Sequence, residues 1–202
     1  MLVHGLWMRG WVLAYPRIQL AQRGYRPIAF SYPSVTLSLD SIARRLADLV
    51  RSAEAPVHLV GHSLGGLVVL QMLASHPELA VKRVVLLGSP CMGSSAAKHL
   101  ARCHFGRAII GKAIVQWRQE DGAVAARQFQ IGVIAGTQPF GLGRLVMKLP
   151  RPNDGVVLVD ETRLPGATDH ITMRVSHTGL IFSSKVNLQV SNFLKHGHFS
   201  VA

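Results

Sequence analysis

The sequence predicts an α/β fold: a mostly parallel sheet flanked by helices, in a compact form with a small helical insertion. Three observations carry this. Short apolar runs alternate with helix-length segments along the 202 residues, the order that crossover units produce. The apolar runs are near-continuous, as strands buried on both faces are. The composition, 49% hydrophobic and 16% charged, is that of a chain able to bury a core. A chain of this length is expected to form one domain, residues 1–202. It has no apolar run of about 18 residues or more, the length a membrane-spanning helix needs.

Met1–His4 reads as the end of a buried strand, closed by a turn at Gly5. Ala14–Arg23 has helical spacing, with Pro16 tolerated in the first turn and Gly24 as its stop. Arg26–Tyr32 is a short strand. Asp40–Ala53 is an amphipathic helix: Ile42, Leu46, Leu49 and Val50 form one stripe, and Arg44, Arg45 and Arg51 lie mostly off it. Val57–Val60 is a strand, Gly65–Ser75 a strongly apolar helix, and Val81–Leu87 a buried strand ending at Gly88. Cys91–Gln128 breaks this rhythm and is expected to be a helical insertion or partial lid. Its apolar helix, Ala108–Trp117, carries Ile109, Ile110, Ile114, Val115 and Trp117 beside Arg107, Lys112 and Arg118, which suits equally a lid over an acyl pocket and a helix packed on the sheet edge. Phe129–Ala135 is the next strand and Gly136–Asn153 a Gly- and Pro-rich loop. Gly155–Arg163 is a short helix whose Val-rich start also permits a strand. Ile171–Val175 is the last strand, and Leu180–Leu194 a final helix with Ile181, Val186, Val190 and Leu194 facing the core.

Twenty-two Lys+Arg against 10 Asp+Glu give a net charge of +12. A field of that sign attracts anionic lipid, nucleic acid or acidic substrates. The basic residues are spread along the chain, with no tail or recognition helix, which argues against nucleic acid and leaves an anionic membrane surface as a candidate partner. Two cysteines, Cys91 and Cys103, make no disulfide framework. They could form one bridge. His99 and His104 lie near them in sequence, but the spacing matches no standard zinc pattern; free thiols are the leading expectation, with a Cys91–Cys103 bridge as the alternative. Met1–Gly10 lacks a basic stretch followed by a long apolar one, so a cytoplasmic location is expected. A first strand that starts almost at Met1 is also compatible with a mature or truncated form. Oligomeric state has no signature in the sequence.

The strongest chemical signal is Gly61-His62-Ser63-Leu64-Gly65, a G-x-S-x-G pattern with an apolar strand before it and a helix after it. Such a serine sits on a sharp turn that lifts its hydroxyl above the sheet, and the small neighbours let backbone pass close. A serine nucleophile needs a base, and the base needs an orienting carboxylate; the expected chain order is Ser, acid, His. Of the late aspartates, Asp121 and Asp169 precede strands and fall at the wrong edge of a parallel sheet, whose active groups lie beyond the strands' carboxyl ends. Asp154 follows a strand in a polar turn and is chosen as the acid, with Asp160 as runner-up. His177 follows the last strand and is chosen as the base. His170 is disfavoured by the same edge argument, His196 and His198 lie in the tail, and His62 is read as packing. Oxyanion donors are expected from the N–H of Leu64 and from the loop after the first strand, at Leu6 or alternatively Trp7. His4 is read as structural, orienting that loop by a hydrogen bond.

These segments resemble the α/β-hydrolase superfamily and, within it, the small bacterial lipases and esterases that lack large caps. The resemblance rests on VHG at 3–5, GHSLGG at 61–66, Asp154-Gly155-Val156-Val157, and VSHTGLIFSSKVNLQVSNFL at 175–194. It implies the α/β-hydrolase fold, a Ser63-Asp154-His177 triad, an oxyanion hole at Leu6 and Leu64, and no metal or organic cofactor. The implied activity is hydrolysis of a small-molecule or lipid carboxylic ester through an acyl-enzyme. Thioesterase or acyltransferase chemistry shares the first half-reaction and is the alternative; a non-catalytic binding protein on the same fold is more distant. Trp7, Met92, Phe140 and Leu142 are candidate pocket residues. Two departures stand out: one or two edge strands of the larger family have no counterpart ahead of Met1, and the 91–128 segment exceeds what a minimal lipase needs.

Overall fold

The computed structural model describes residues 1–100, 113–114, 116–140 and 149–200. Six strands, β1 (Leu2–Val3), β2 (Ala29–Phe30), β3 (Val57–His62), β4 (Val81–Leu87), β5 (Gln130–Gly136) and β6 (Asp169–Met173), form one sheet in the order β2-β1-β3-β4-β5-β6. Every neighbouring pair is parallel. The helices are α1 (Ala14–Ala21), α2 (Leu39–Arg51), α3 (Leu64–Ser75), α4 (Ser95–Leu100), α5 (Gln119–Gln128), α6 (Gly179–Phe182) and α7 (Ser184–His196). A single 3-10 turn, Gly10–Leu13, leads into α1, and another covers Asp160–Thr162.

The near-continuous apolar strands are explained by two cores. Successive side chains of a strand point to opposite faces. In β4, Val84 and Leu86 join the core built by α2, α3 and α5, while Val85 and Leu87 join the one built by α1, α6 and α7. The same split divides Leu59 from Val60 in β3 and Val133 from Ile134 in β5. Ile42, Leu46 and Val50 of the α2 stripe are buried in the first core, with Leu49 packed at its margin. Ser38 caps α2 by accepting the Ser41 N–H, which starts the helix one residue before Asp40.

Four elements differ from the sequence expectation. The last strand, expected over Ile171–Val175, runs Asp169–Met173, so Asp169 and His170 lie on it and pair with β5 rather than preceding it. The strand expected over Arg26–Tyr32 pairs only at Ala29–Phe30; Pro27 lacks an N–H, and Tyr32 N–H is used by a side chain instead. The final helix is two helices. Ser183 turns extended between α6 and α7, with φ −83° and ψ 123°, and its hydroxyl caps the second by accepting Val186 N–H at 3.3 Å. Residues 155–163 combine an Asn153–Leu158 antiparallel bridge with the short 3-10 turn. Most of the expected Ala108–Trp117 helix lies outside the described residues. Of its described part, Ala113 and Ile114 are helical, Ala113 is buried, and the Trp117 Nε1–H donates to Cys91 C=O at 2.9 Å.

The sheet order fixes where a site can form. The chain steps from β1 outward to β2, then returns to the other side of β1 with β3. The switch point therefore lies between β1 and β3, and ligands of open α/β sheets bind beyond the carboxyl ends of the strands at such a point. Here those ends are Gly5 and Ser63. The crossing of α3 under β1 needs a residue without a side chain. A Cβ on Gly65 would overlap the Val3 carbonyl oxygen and stand 2.6 Å from the His4 oxygen. Both are backbone atoms and cannot rotate away. Gly65→Ala is expected to destabilise the fold by about 3 kcal/mol, read as a lowered urea midpoint at unchanged slope.

Candidate active site

Ser63 joins β3 to α3 with φ 54° and ψ −122°. A positive φ strains a non-glycine residue by roughly 1–3 kcal/mol and persists only where the surroundings impose it. They do: Ser63 N–H donates to Leu87 C=O at 2.9 Å, and Gly66 N–H donates to Ser63 C=O at 3.0 Å. The β1 loop passes directly over the turn, for a Cβ on Gly5 would lie 3.1 Å from Ser63 Cβ.

Asp154 and His177 come together although 23 residues separate them. His177 Nδ1–H donates to Asp154 Oδ2 at 2.7 Å, and the Asp154 side chain is 1% exposed. The other carboxylate oxygen accepts the Val156 and Val157 N–H groups at 2.9 and 2.8 Å. Five bonds thus hold Asp154: to its side chain from the Val156 and Val157 amides and the imidazole, and on its main chain from Asp154 N–H to Val157 C=O at 3.1 Å and from His177 N–H to Asp154 C=O at 2.8 Å. No hydrogen bond joins Ser63 Oγ to the His177 ring in the structure. Contacts between nucleophile and base often tighten only around a substrate.

The loop after β1 supplies the next groups. Trp7 N–H donates to Ser34 Oγ at 2.9 Å, so Trp7 is already engaged. Neither the Leu6 nor the Leu64 N–H is donated to another described residue. His4 is fully buried. Its Nδ1–H donates to Gly5 C=O at 2.9 Å, its Nε2 accepts Tyr32 N–H at 3.2 Å, and the two rings stack 4.2 Å apart. Tyr32 therefore fixes the imidazole tautomer, and burial lowers the His4 pKa. The structural role expected for His4 agrees with this geometry.

His62 is packed and also touches His177. It is 1% exposed, its Nε2–H donates to His177 C=O at 3.0 Å, and the two rings lie 4.8 Å apart. Burial, reinforced by the charge on His177, pushes His62 from 6.5 down to about 3. The unfolded chain thus binds a proton at His62 that the folded chain refuses. Stability is complete above pH 6.5 and falls as pH drops from there toward 3. From this group alone the loss is about 2 kcal/mol by pH 5. Urea midpoints measured at pH 7.5 and pH 5 check this, with the lower value expected at pH 5.

The other acids and histidines considered lie elsewhere. Asp160 is exposed and pairs with Arg163 at 3.1 Å. Asp121 is on the first turn of α5, and Asp169 accepts Phe199 N–H at 2.8 Å. His170 contacts Thr162 Oγ1 at 2.9 Å, and the rings of His196 and His198 pair in the tail. Of the candidate pocket residues, Trp7 is 62% exposed and lines a cavity with residues 31–36. Met92 and Phe140 are exposed near the acid loop instead: Met92 N–H donates to Glu161 C=O, and Phe140 backbone lies against Gly155. Leu142 lies outside the described residues, as do Cys103 and His104. Cys91 is a buried free thiol pushed up to about 12 by desolvation, which leaves it unreactive. Among the described residues no group of three or more His, Cys, Asp or Glu side chains could hold a metal ion.

Sequence reasoning missed three supporting residues. Tyr32 orients His4, Ser34 holds Trp7, and buried Glu161 accepts the Ser95 and Leu158 N–H groups, tying the start of α4 to the acid loop. Each acts across 27 residues or more, apart from the Glu161–Leu158 contact, and none belongs to a local pattern.

Comparison with known proteins agrees with this architecture. The chain superposes on the lipase BlEst2 of Bacillus licheniformis in its mature form with a TM-score of 0.77, over 97% of this chain and 90% of that one, at 22% identity. It superposes on a pyrethroid hydrolase from Sphingobium faniae JZ-2 with a TM-score of 0.62, over 96% of each chain, at 15% identity. RutD of Serratia proteamaculans (strain 568) is 37% identical over 62 residues, which is 30% of this chain and only 23% of that protein. The Alpha/beta hydrolase family matches residues 1–176. With its parallel sheet and the Ser63 turn at the switch point, the chain belongs to the alpha/beta hydrolase family.

Proposed function

We propose that this protein is a serine hydrolase that cleaves carboxylic esters, an esterase or lipase, with Ser63 as nucleophile, His177 as general base and Asp154 as the orienting acid. The observation that carries the reading is the buried 2.7 Å bond between His177 Nδ1 and Asp154 Oδ2, at the same sheet rim as the strained Ser63 turn. With Nδ1 holding its proton toward the carboxylate, Nε2 is the free basic atom. His177 Nε2 takes the Ser63 hydroxyl proton as the oxygen attacks the carbonyl carbon. The carbonyl oxygen becomes an anion and accepts the Leu6 and Leu64 N–H groups, which are donated to no other described residue. The bond to the alcohol breaks, and the alcohol leaves with the proton from His177. Water then repeats the sequence on the acyl-enzyme. The substrate is a small-molecule or lipid acyl ester, and the +12 charge supports an anionic membrane surface as the place where a lipid ester would be met.

The test is a panel of p-nitrophenyl esters of rising acyl length with wild type and Ser63→Ala. Wild type is expected to turn over, and Ser63→Ala to fall by about 10⁴-fold or more while remaining folded. Equal turnover by both proteins would refute the assignment. A peak at short chains indicates an esterase, and rising activity on long aggregated chains a lipase.

A further inference from the structure

Beside the oxyanion loop lies a cavity of about 450 Å³, walled by residues 7–9 and 31–36. That volume is in the range of small-molecule sites. Its wall begins at Trp7, two residues after Gly5, on the loop that packs against Ser63. Its polar groups are biased toward donation. Ser34 Oγ accepts Trp7 N–H at 2.9 Å and Ser31 Oγ accepts Gly10 N–H at 3.1 Å. Each hydroxyl has spent acceptor capacity on backbone, and neither hydroxyl proton is donated to a described residue. Tyr32 differs, since its O–H is committed to His4 C=O at 2.6 Å. Arg9 adds a guanidinium that forms no ion pair with a described carboxylate, and no Asp or Glu among the described residues lines the cavity. Thr36 adds a further hydroxyl, and Trp7, Met8, Pro33 and Val35 contribute apolar wall. A cavity of this kind favours an amphipathic ligand with an acceptor-rich, negatively charged end.

We propose that this cavity is a subsite for an anionic group, carboxylate or phosphate, on the ester substrate, with Arg9 and the Ser31 and Ser34 hydroxyls as its donors. This rests on the ester-hydrolase reading, so the experiment has a catalytic and a binding arm. In the first, mono-4-nitrophenyl glutarate is compared with 4-nitrophenyl valerate, and 4-(butyryloxymethyl)benzoate with benzyl butyrate. These pairs place the carboxylate on the acyl or the alcohol half. One anionic ester is expected to exceed its neutral partner in kcat/KM by about tenfold. That ratio is expected to fall toward one in Arg9→Gln and in 0.5 M salt, and to survive largely in Arg9→Lys. The half that shows the gain is the half the cavity holds. No gain in either pair, or an Arg9→Gln loss of the same factor on all four esters, overturns the proposal. In the second arm, Ser63→Ala protein is titrated with octyl phosphate and with octanol by calorimetry. Binding of the phosphate that weakens about tenfold in Arg9→Gln, and exceeds octanol binding, supports the subsite even where no ester is hydrolysed. Octanol binding as tightly as the phosphate overturns the subsite, whatever the catalytic result.

Discussion

His177→Ala is expected to lower kcat on a p-nitrophenyl ester by about 10⁴–10⁶-fold with little change in KM. The ring is the only group of the proposed triad that both accepts and returns the proton, so its loss stops both half-reactions. The substituted protein should fold. Alanine keeps the His177 N–H bond to Asp154 C=O and the His62 bond to the His177 C=O and loses only the side-chain bond to Asp154. The double variant with Ser63→Ala should be no slower than either single variant, because residues acting as one relay do not add. Additive losses, with the two effects multiplying, would show that Ser63 and His177 act separately. Initial rates of the four proteins, alongside their circular dichroism spectra, decide between these outcomes.

Asp154→Asn carries the second large effect, about 10⁴-fold in kcat. The reason lies in the donors around the carboxylate. Oδ1 accepts two backbone N–H groups and Oδ2 accepts the imidazole N–H. An asparagine amide has one oxygen and one NH₂. With its oxygen toward Val156 and Val157, the NH₂ faces His177 Nδ1 and forces the ring to carry its proton on Nε2, where it cannot take one from Ser63. With its oxygen toward His177, the NH₂ faces two backbone donors and the loop loses both bonds. Either orientation costs activity, and the second also costs stability of the order of 2 kcal/mol. Paired kcat and thermal-midpoint measurements separate the two orientations.

Much of this was legible in the sequence because the signals are local. The strand-turn-helix flanks of Ser63 predict the sharp turn that the structure shows, and reading Asp154 and His177 as lying beyond strand ends predicts two side chains that the structure brings within hydrogen-bond distance. The apolar strands gave the parallel sheet. What was not legible depends on distant partners. The apolar run predicts Tyr32 at a strand end, yet its N–H donates to the His4 ring 28 residues away, which shortens that strand. The final helix keeps its periodicity across Ser183, so the pattern of Ile181, Val186, Val190 and Leu194 hides the break that a serine cap imposes. The engagement of Trp7 N–H by Ser34, beside a Leu6 N–H donated to no described residue, has no trace in spacing at all. His62 packs, but its bond to the His177 carbonyl depends on the end of β3 meeting the segment after β6, 115 residues away, which no local pattern shows.

The most direct measurement is mass spectrometry of the folded protein after reaction with a fluorophosphonate probe. The phosphonyl group should be found on the peptide containing Ser63 and on no other, and the adduct should be absent after Ser63→Ala. A folded protein that hydrolyses esters yet carries no adduct at Ser63, or carries it on a different serine, would contradict the assignment of this turn as the reactive centre.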